Sequence, residues 1–200
     1  MKTERNCTKR GWRISLCSFS PEQDRQILLV GMNDAEVAGF ISERGPFTLP
    51  DVDRKIAEWE ESRAEGKRTA FALVDNATAK FIGVAQLRKV KIVDGKAMIT
   101  RLIVNPDFRS RGYGTEAGML IMHYGFTTLG LRKIQSWVFG YNMRSLACVK
   151  KTGLVETEGV MRENRFWQGK YWDMHNFAAF KDKWLRDYWG PYVVKHGAMQ

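Results

Sequence analysis

The 200-residue chain contains no run near the ~20 consecutive apolar residues that a membrane-spanning helix needs. Its first residues, Met1 to Arg5, lack the apolar core of a secretion signal. Both absences lead to the expectation of a cytoplasmic protein with no membrane partner. Cysteine is scarce. Cys7, Cys17 and Cys148 have neither metal-ligand nor redox-pair spacing, and an odd number argues against a disulfide framework. They read as free thiols in a reducing cytosol. His123, His175 and His196 are too scattered to hold a metal, so none is expected. Internal repeats and low-complexity stretches are also absent. With 44% hydrophobic residues, the length suits one core and is short for two. One domain is expected over 1–184, followed by an aromatic and basic tail over 185–200 that packs on the domain or on a second subunit. A homodimer is therefore a candidate assembly.

What the chain has in excess is positive charge, a formal +10. Nucleic acid, an acidic protein and an anionic cofactor are the partners such a charge suits. The basic residues are dispersed and no nucleic-acid motif accompanies them, so nucleic acid is not expected. A small polyanionic ligand fits best, and the same field repels polycations.

Hydrophobic periodicity lays out the elements. Trp12 to Leu16 reads as a strand and Pro21 to Val30 as a short helix. Thr48-Leu49-Pro50-Asp51 opens a helix to about Glu65 with the stripe Val52, Ile56 and Trp59. Strands follow at Thr69 to Val74 and Phe81 to Leu87, joined by the turn Asp75-Asn76-Ala77-Thr78. A hairpin at Asp94-Gly95 lies between Val90–Val93 and Ala97–Val104. Ile134 to Phe139 reads as a strand, and Asn142 to Thr152 as a helix stopped by Gly153. Val155–Glu163 and Tyr171–Phe180 pair across a loop at Asn164–Lys170.

The densest signal is Arg109-Ser110-Arg111-Gly112-Tyr113-Gly114-Thr115, placed where the strand ending at Val104 turns into a helix with Ala117, Leu120, Ile121 and Tyr124 on one face. Glycines admit a ligand close to the backbone, and the first N–H groups of a helix have no internal acceptor. Together with the helix dipole they make a phosphate cradle, to which Arg109 and Arg111 add charge. No Gly-Lys-Ser/Thr follows, which excludes a Walker loop, and the third glycine of a dinucleotide fingerprint is missing.

Downstream, the order continues with Glu116-Ala117, Phe126, Leu129-Gly130-Leu131-Arg132, Asn142-x-x-Ser145, Lys151-Thr152-Gly153-Leu154, Glu158-Gly159 and Gly169 to Asp173. This succession resembles the GNAT superfamily of N-acetyltransferases, most closely its ribosomal-protein-alanine branch, with polyamine and antibiotic acetylating enzymes as further look-alikes. The resemblance is strong over residues 80–184 and looser over 12–80. It implies a mixed α/β (α+β) GNAT fold: a mostly antiparallel twisted sheet of about seven strands, splayed at the cofactor strand and flanked by helices. It also implies acetyl-CoA as co-substrate, held by Leu102, Ile103 and Val104 through backbone N–H groups. The loop Arg109, Ser110, Arg111, Gly112, Tyr113, Gly114 and Thr115, together with Asn142 and Ser145, completes that set. The expected partner is a small amine or a protein N-terminus.

Transfer of acetyl from a thioester to an amine needs a neutral amine, a polarised carbonyl and a protonated leaving thiolate. At pH 7 an α-amine loses its proton for roughly 1 kcal/mol and a lysine for almost 5. A strong base is therefore optional for the first and more valuable for the second. The tyrosine that serves as acid in many relatives is replaced by Val149, so Ser145 is the candidate acid. The expected base position falls on Arg165, leaving Glu163, two residues earlier on the same strand face, as its substitute. Asn142 reads equally as a helix cap and as a cofactor ligand. Phe166, Trp167, Tyr171 and Trp172 form an aromatic wall, two of them expected in core packing. Asp173 is expected to hydrogen-bond structurally. Glu58, Glu61 and Glu65 are the one acidic group expected to be able to attract a polyamine.

Overall fold

A computed structural model of the protein describes residues 5–40 and 45–197. In chain order the strands are β1 (Cys7–Arg10), β2 (Ile14–Cys17), β3 (Arg68–Asp75), β4 (Phe81–Lys91), β5 (Lys96–Ile103), β6 (Lys133–Phe139), β7 (Glu156–Trp167) and β8 (Lys170–Phe180). The helices are α1 (Pro21–Met32), α2 (Ala35–Ala38), α3 (Leu49–Ala64), α4 (Tyr113–Thr127), α5 (Met143–Lys151), α6 (Lys181–Trp184) and α7 (Gly190–His196), with one tight turn of helix at Pro106–Phe108. The strands form one sheet in the order β1-β2-β3-β4-β5-β6-β8-β7. Eight strands replace the expected seven or so, because β1 was not legible as a strand.

The sequence explains the layering. In β3 every residue from Thr69 onward is buried, as required of a strand covered on both faces. Phe71 and Leu73 join an apolar cluster with Leu120 and Phe126 of α4 and with Trp184. Ala70, Ala72 and Val74 join the opposite cluster with Leu28 of α1 and Val52, Ile56 and Trp59 of α3. The α3 start is capped as expected, with the Thr48 N–H and hydroxyl both donating to Asp51 Oδ2 (2.8 and 2.6 Å). The tail is helical through His196 and packs Leu185, Tyr188, Trp189 and Tyr192 against the α4-side cluster. Trp184 Nε1 donates to Thr152 O (2.7 Å), tying it to the end of α5. The tail's last three residues, 198–200, lie outside the described residues.

Two expectations need correction. The last hairpin turns at Gln168-Gly169, so most of the expected loop at 164–170 is strand. The cysteines are not all free. β1 folds back on β2 with Cys7 directly opposite Cys17, and these two form a disulfide, while Cys148 is free. A sequence separation of 10 gave no sign of pairing because the hairpin that closes it was not read. Among the described residues no helix is long and apolar enough to cross a membrane.

One feature of the sheet opens the site. Among the described residues β5 and β6 are its only parallel neighbours, and they pair only at Lys96↔Lys133, Ala97↔Ile134 and Met98↔Gln135. Beyond Met98 the strands part, while β5 stays bonded to β4 as far as Gly83↔Ile103 and β6 to β8 as far as Phe139↔Met174. The result is a wedge in the middle of the sheet.

Candidate functional site

The wedge holds a cleft of about 500 Å³. It is lined by β5 from Ile99 to Ile103 and β6 from Ser136 to Phe139, with Arg109, Ser110, Gly112, Gly114 and Thr115 above them. Asn142, Ser145 and Cys148 close one side, and Glu36, Val37 and Phe40 close the other. Leu102, Ile103, the loop residues just named, Asn142 and Ser145 thus line one cleft.

The backbone of β5 is arranged for a ligand on its open side. Val104 N–H donates to Ile82 O (3.0 Å). Amides of a paired strand alternate in direction, so Leu102 also faces β4, and Ile103 and Arg101 present theirs to the wedge. This corrects the expectation for Val104, which is buried against α1 and does not line the cleft. At the head of α4, Gly112 has φ +85°, a conformation that suits glycine. The turn leaves the amides from Gly112 to Gly114 ahead of the first helical hydrogen bonds, which run from Thr115 and Glu116 N–H to Gly112 O. Gly114 is helical, and an added Cβ would lie 3.8 Å from Cys148 Sγ, so only Gly112 is required by conformation.

Buried charge holds this loop from behind. Glu116, 2% exposed, accepts from Arg13 N–H (2.6 Å), Arg13 Nε (2.9 Å) and Ile14 N–H (3.3 Å). Arg13 in turn donates to Arg111 O (2.9 Å) and lies over the Tyr113 ring, whose hydroxyl donates to Asp75 Oδ1 (3.1 Å). Arg111 and Tyr113 therefore brace the loop from outside and do not line the cleft.

Arg109 is also engaged differently from the expectation. Its Nε and Nη2 donate to Ile103 O (3.2 Å) and Val104 O (2.7 Å). Its Nη1 meets Asp34 Oδ2 (2.9 Å) and Glu36 Oε2 (3.0 Å). Arg144 of α5 also pairs with Glu36. Hydrogen bonds from Arg109 and then Arg144 hold the Glu36 carboxyl below its ordinary range. Glu36 thereby straps α2 across the cleft from the β5 side to α5. The strap is reinforced by Tyr141, whose hydroxyl donates to Gly39 O and whose ring stacks on Phe40. Burial pushes the Tyr141 hydroxyl up from its ordinary value.

Tyr141 is the hub of the aromatic wall. Phe139, Trp167 and Trp172 surround it at ring-centre distances of 5.5, 6.1 and 5.4 Å. Trp167 and Trp172 are half-buried, whereas Phe166 and Tyr171 pair on the outside at 53% and 62% exposure. Two of the four pack inward, as expected. Sequence reasoning missed α2 and Tyr141: a four-residue helix has no periodicity to read, and Tyr141 gains its role from Gly39, far away in sequence.

The candidate proton-transfer groups divide. Ser145 lines the cleft, and its N–H donates to Asn142 Oδ1 (3.0 Å), so Asn142 caps α5 and keeps its amide donors for the cleft. Val149 is fully buried in the core. Glu163 does not line the cleft. It is exposed, at φ +51° in a strand irregularity, and its N–H donates to Asp173 Oδ1 (2.9 Å), which gives Asp173 the structural bond expected of it. Glu58, Glu61 and Glu65 are exposed on or just beyond α3 and likewise do not line the cleft.

Comparison with known proteins bears on this geometry. The acetyltransferase (GNAT) domain family matches residues 13–155. The chain belongs to the GNAT acetyltransferase family. It is an enzyme of that family, and its eight-stranded mixed α/β fold is the GNAT fold. It is 28% identical over 109 residues to the spermidine N(1)-acetyltransferase of Escherichia coli K12, covering 54% of this chain and 58% of that enzyme. The solved spermidine N-acetyltransferase of Vibrio cholerae, in complex with CoA and spermine, superposes with a TM-score of 0.73 at 20% identity, covering 87% of this chain and 99% of that one. The ribosomal-protein-S5-alanine acetyltransferase of Vibrio fischeri superposes with a TM-score of 0.73 at 16% identity, covering 86% and 95%. The residues present fit acetyl-CoA. The wedge offers an unpaired strand edge, and the turn at Gly112 leaves free amides where a diphosphate needs donors.

Proposed function

We propose that this GNAT enzyme moves an acetyl group by direct transfer from acetyl-CoA to a protein N-terminal α-amine or a small, weakly basic primary amine. The observation that carries this reading is the charge of the cleft. Among the described residues its lining holds Arg101, Arg109, Arg144 and Lys151 against a single carboxylate, Glu36, which two arginines already neutralise. Such a surface suits a polyanionic cofactor and gives a polycationic acceptor no free carboxylate. The second reading, a polyamine acceptor, draws on the names of the spermidine enzymes above.

In this reading Ile103 and Arg101 N–H and the amides of Gly112 to Gly114 hold the cofactor, with the Asn142 amide on its arm. Bound acetyl-CoA supplies the acetyl group already activated as a thioester. As the N–C bond forms and the C–S bond breaks, Ser145 relays one proton, its hydroxyl donating to the leaving sulfur and taking up the proton that the acceptor nitrogen releases. The aromatic wall around Tyr141 shields the acceptor end from water. Among the described residues no lining carboxylate is available as a strong base, which matches an acceptor whose amine is partly neutral at pH 7. The cofactor argues for a cytoplasmic site of action, and the Cys7–Cys17 bond is the observation against it.

The test is a cell extract incubated with the protein and isotopically labelled acetyl-CoA, with products identified by mass spectrometry. Label on peptide or protein N-termini, or on a weakly basic amine, is expected. Label confined to spermidine would overturn the reading.

A further inference from the structure

Of the cations expected at the phosphate cradle, Arg109 is bound to Asp34, Glu36 and two backbone carbonyls, and Arg111 lies outside the cleft lining. Among the described residues two cleft cations have no carboxylate partner, Arg101 and Lys151. Lys151 is exposed to solvent, whereas Arg101 is half-buried. Arg101 has a built seat. It points from β5 toward α4, where Gly118 leaves room for it: an added Cβ would lie 3.2 Å from Arg101 Nε and 2.7 Å from Thr152 Cγ2. Its Nη2 meets Cys148 Sγ at 3.2 Å, a weak acceptor that leaves the charge uncompensated. Cys148 in turn touches the head of α4 through the Thr115 hydroxyl at 3.6 Å. Gly118 is four residues into α4 from Gly114, so the guanidinium sits roughly 6 Å below the free amides.

A half-buried guanidinium without a counter-ion is unfavourable unless a ligand brings one. Resting on the acetyl-CoA reading above, we propose that Arg101 is the counter-ion of the cofactor's diphosphate, reaching it from inside the cleft while the amides of Gly112 to Gly114 hold it from above. The planar guanidinium fork suits paired phosphate oxygens. Cys148 holds the fork in place without neutralising it.

Calorimetry with CoA and with pantetheine, which lacks phosphates, tests this. Arg101→Gln should weaken CoA binding ~10- to 100-fold, the range of charge-assisted hydrogen bonds, with pantetheine binding unchanged. Arg101→Lys should recover part of the loss, and Arg111→Gln should lose none. Should Arg101→Gln fail to fold, Cys148→Asp provides the second arm: a carboxylate beside Arg101 would satisfy it internally and should weaken CoA but not pantetheine. Unchanged CoA affinity in folded Arg101→Gln, or equal loss for both ligands, would overturn this inference alone. A wild-type protein that binds no CoA would overturn the acetyl-CoA reading with it.

Discussion

The two halves of the cleft are built in opposite ways. The half we assign to the cofactor is made mostly of backbone from one continuous stretch, β5 through the first turn of α4, braced by buried Glu116 on half-buried Arg13. The half we assign to the acceptor is lined by side chains from separate segments, Glu36 with Phe40 and then Arg144, while Tyr141, Trp167 and Trp172 pack behind Phe40 and Phe139 without lining it. Backbone amides recognise a phosphate whatever side chains surround them, so the first half suits a fixed cofactor. Side chains gathered from afar change one at a time, so we assign acceptor choice to the second half.

Variants should separate the halves. The largest effect is expected at the chemistry between them: Ser145→Ala should lower kcat by about 100-fold or more, the usual range for a general acid, with CoA affinity nearly intact. Unchanged turnover would remove Ser145 from the mechanism. In the cofactor half, Gly112→Ala forces alanine into a left-handed conformation at about 1–2 kcal/mol and should weaken CoA ~10-fold. The acceptor KM at saturating acetyl-CoA should stay unchanged. Loss in both parameters would show that the halves are coupled.

In the acceptor half, Tyr141→Phe removes one neutral hydrogen bond to Gly39 O, worth about 1 kcal/mol. The acceptor KM should rise about fivefold while CoA affinity holds. The smallest effect is expected outside both halves. His123 on α4 stacks on Trp189, and burial lowers its pKa to about 4 from an ordinary 6.5. The folded state resists protonation there, so its stability is full above pH 6.5 and declines as the pH falls from 6.5 toward 4. A melting temperature a few degrees lower at pH 4.5 than at pH 7 is expected, and His123→Phe should flatten that dependence. An unchanged slope in the variant would assign the acid sensitivity to other groups.

The same contrast explains what the sequence disclosed. The elements from α3 to β8 are readable because their apolar residues repeat at 3.6 or 2 and their turns carry Asp-Gly, Gly or Pro. The Arg109–Thr115 loop is readable because its function resides in adjacent residues. What the sequence concealed is non-local. Arg109 looked like a phosphate ligand because Asp34 and Glu36, about 75 positions away, could not be placed beside it. Arg101 was not singled out because its place in the cleft exists only in the fold. Glu163 was placed by counting along a strand, and the irregularity between Met161 and Arg165 defeats such counting. Cys7 and Cys17 were judged by spacing, and a hairpin with a bulge between Cys7 and Lys9 brought them together.

The central claim is that the cleft, positive and with the one carboxylate among its described residues already paired, selects an easily neutralised, non-polycationic amine. The most direct measurement is kcat/KM of the wild-type protein at pH 7 for a set of α-amine peptides beside spermidine and a lysine ε-amine, followed by release of free CoA thiol. The account predicts the highest value for an α-amine, with the lysine acceptor gaining most when the pH is raised, because more of its barrier is deprotonation. A higher kcat/KM for spermidine than for every α-amine at neutral pH would contradict it.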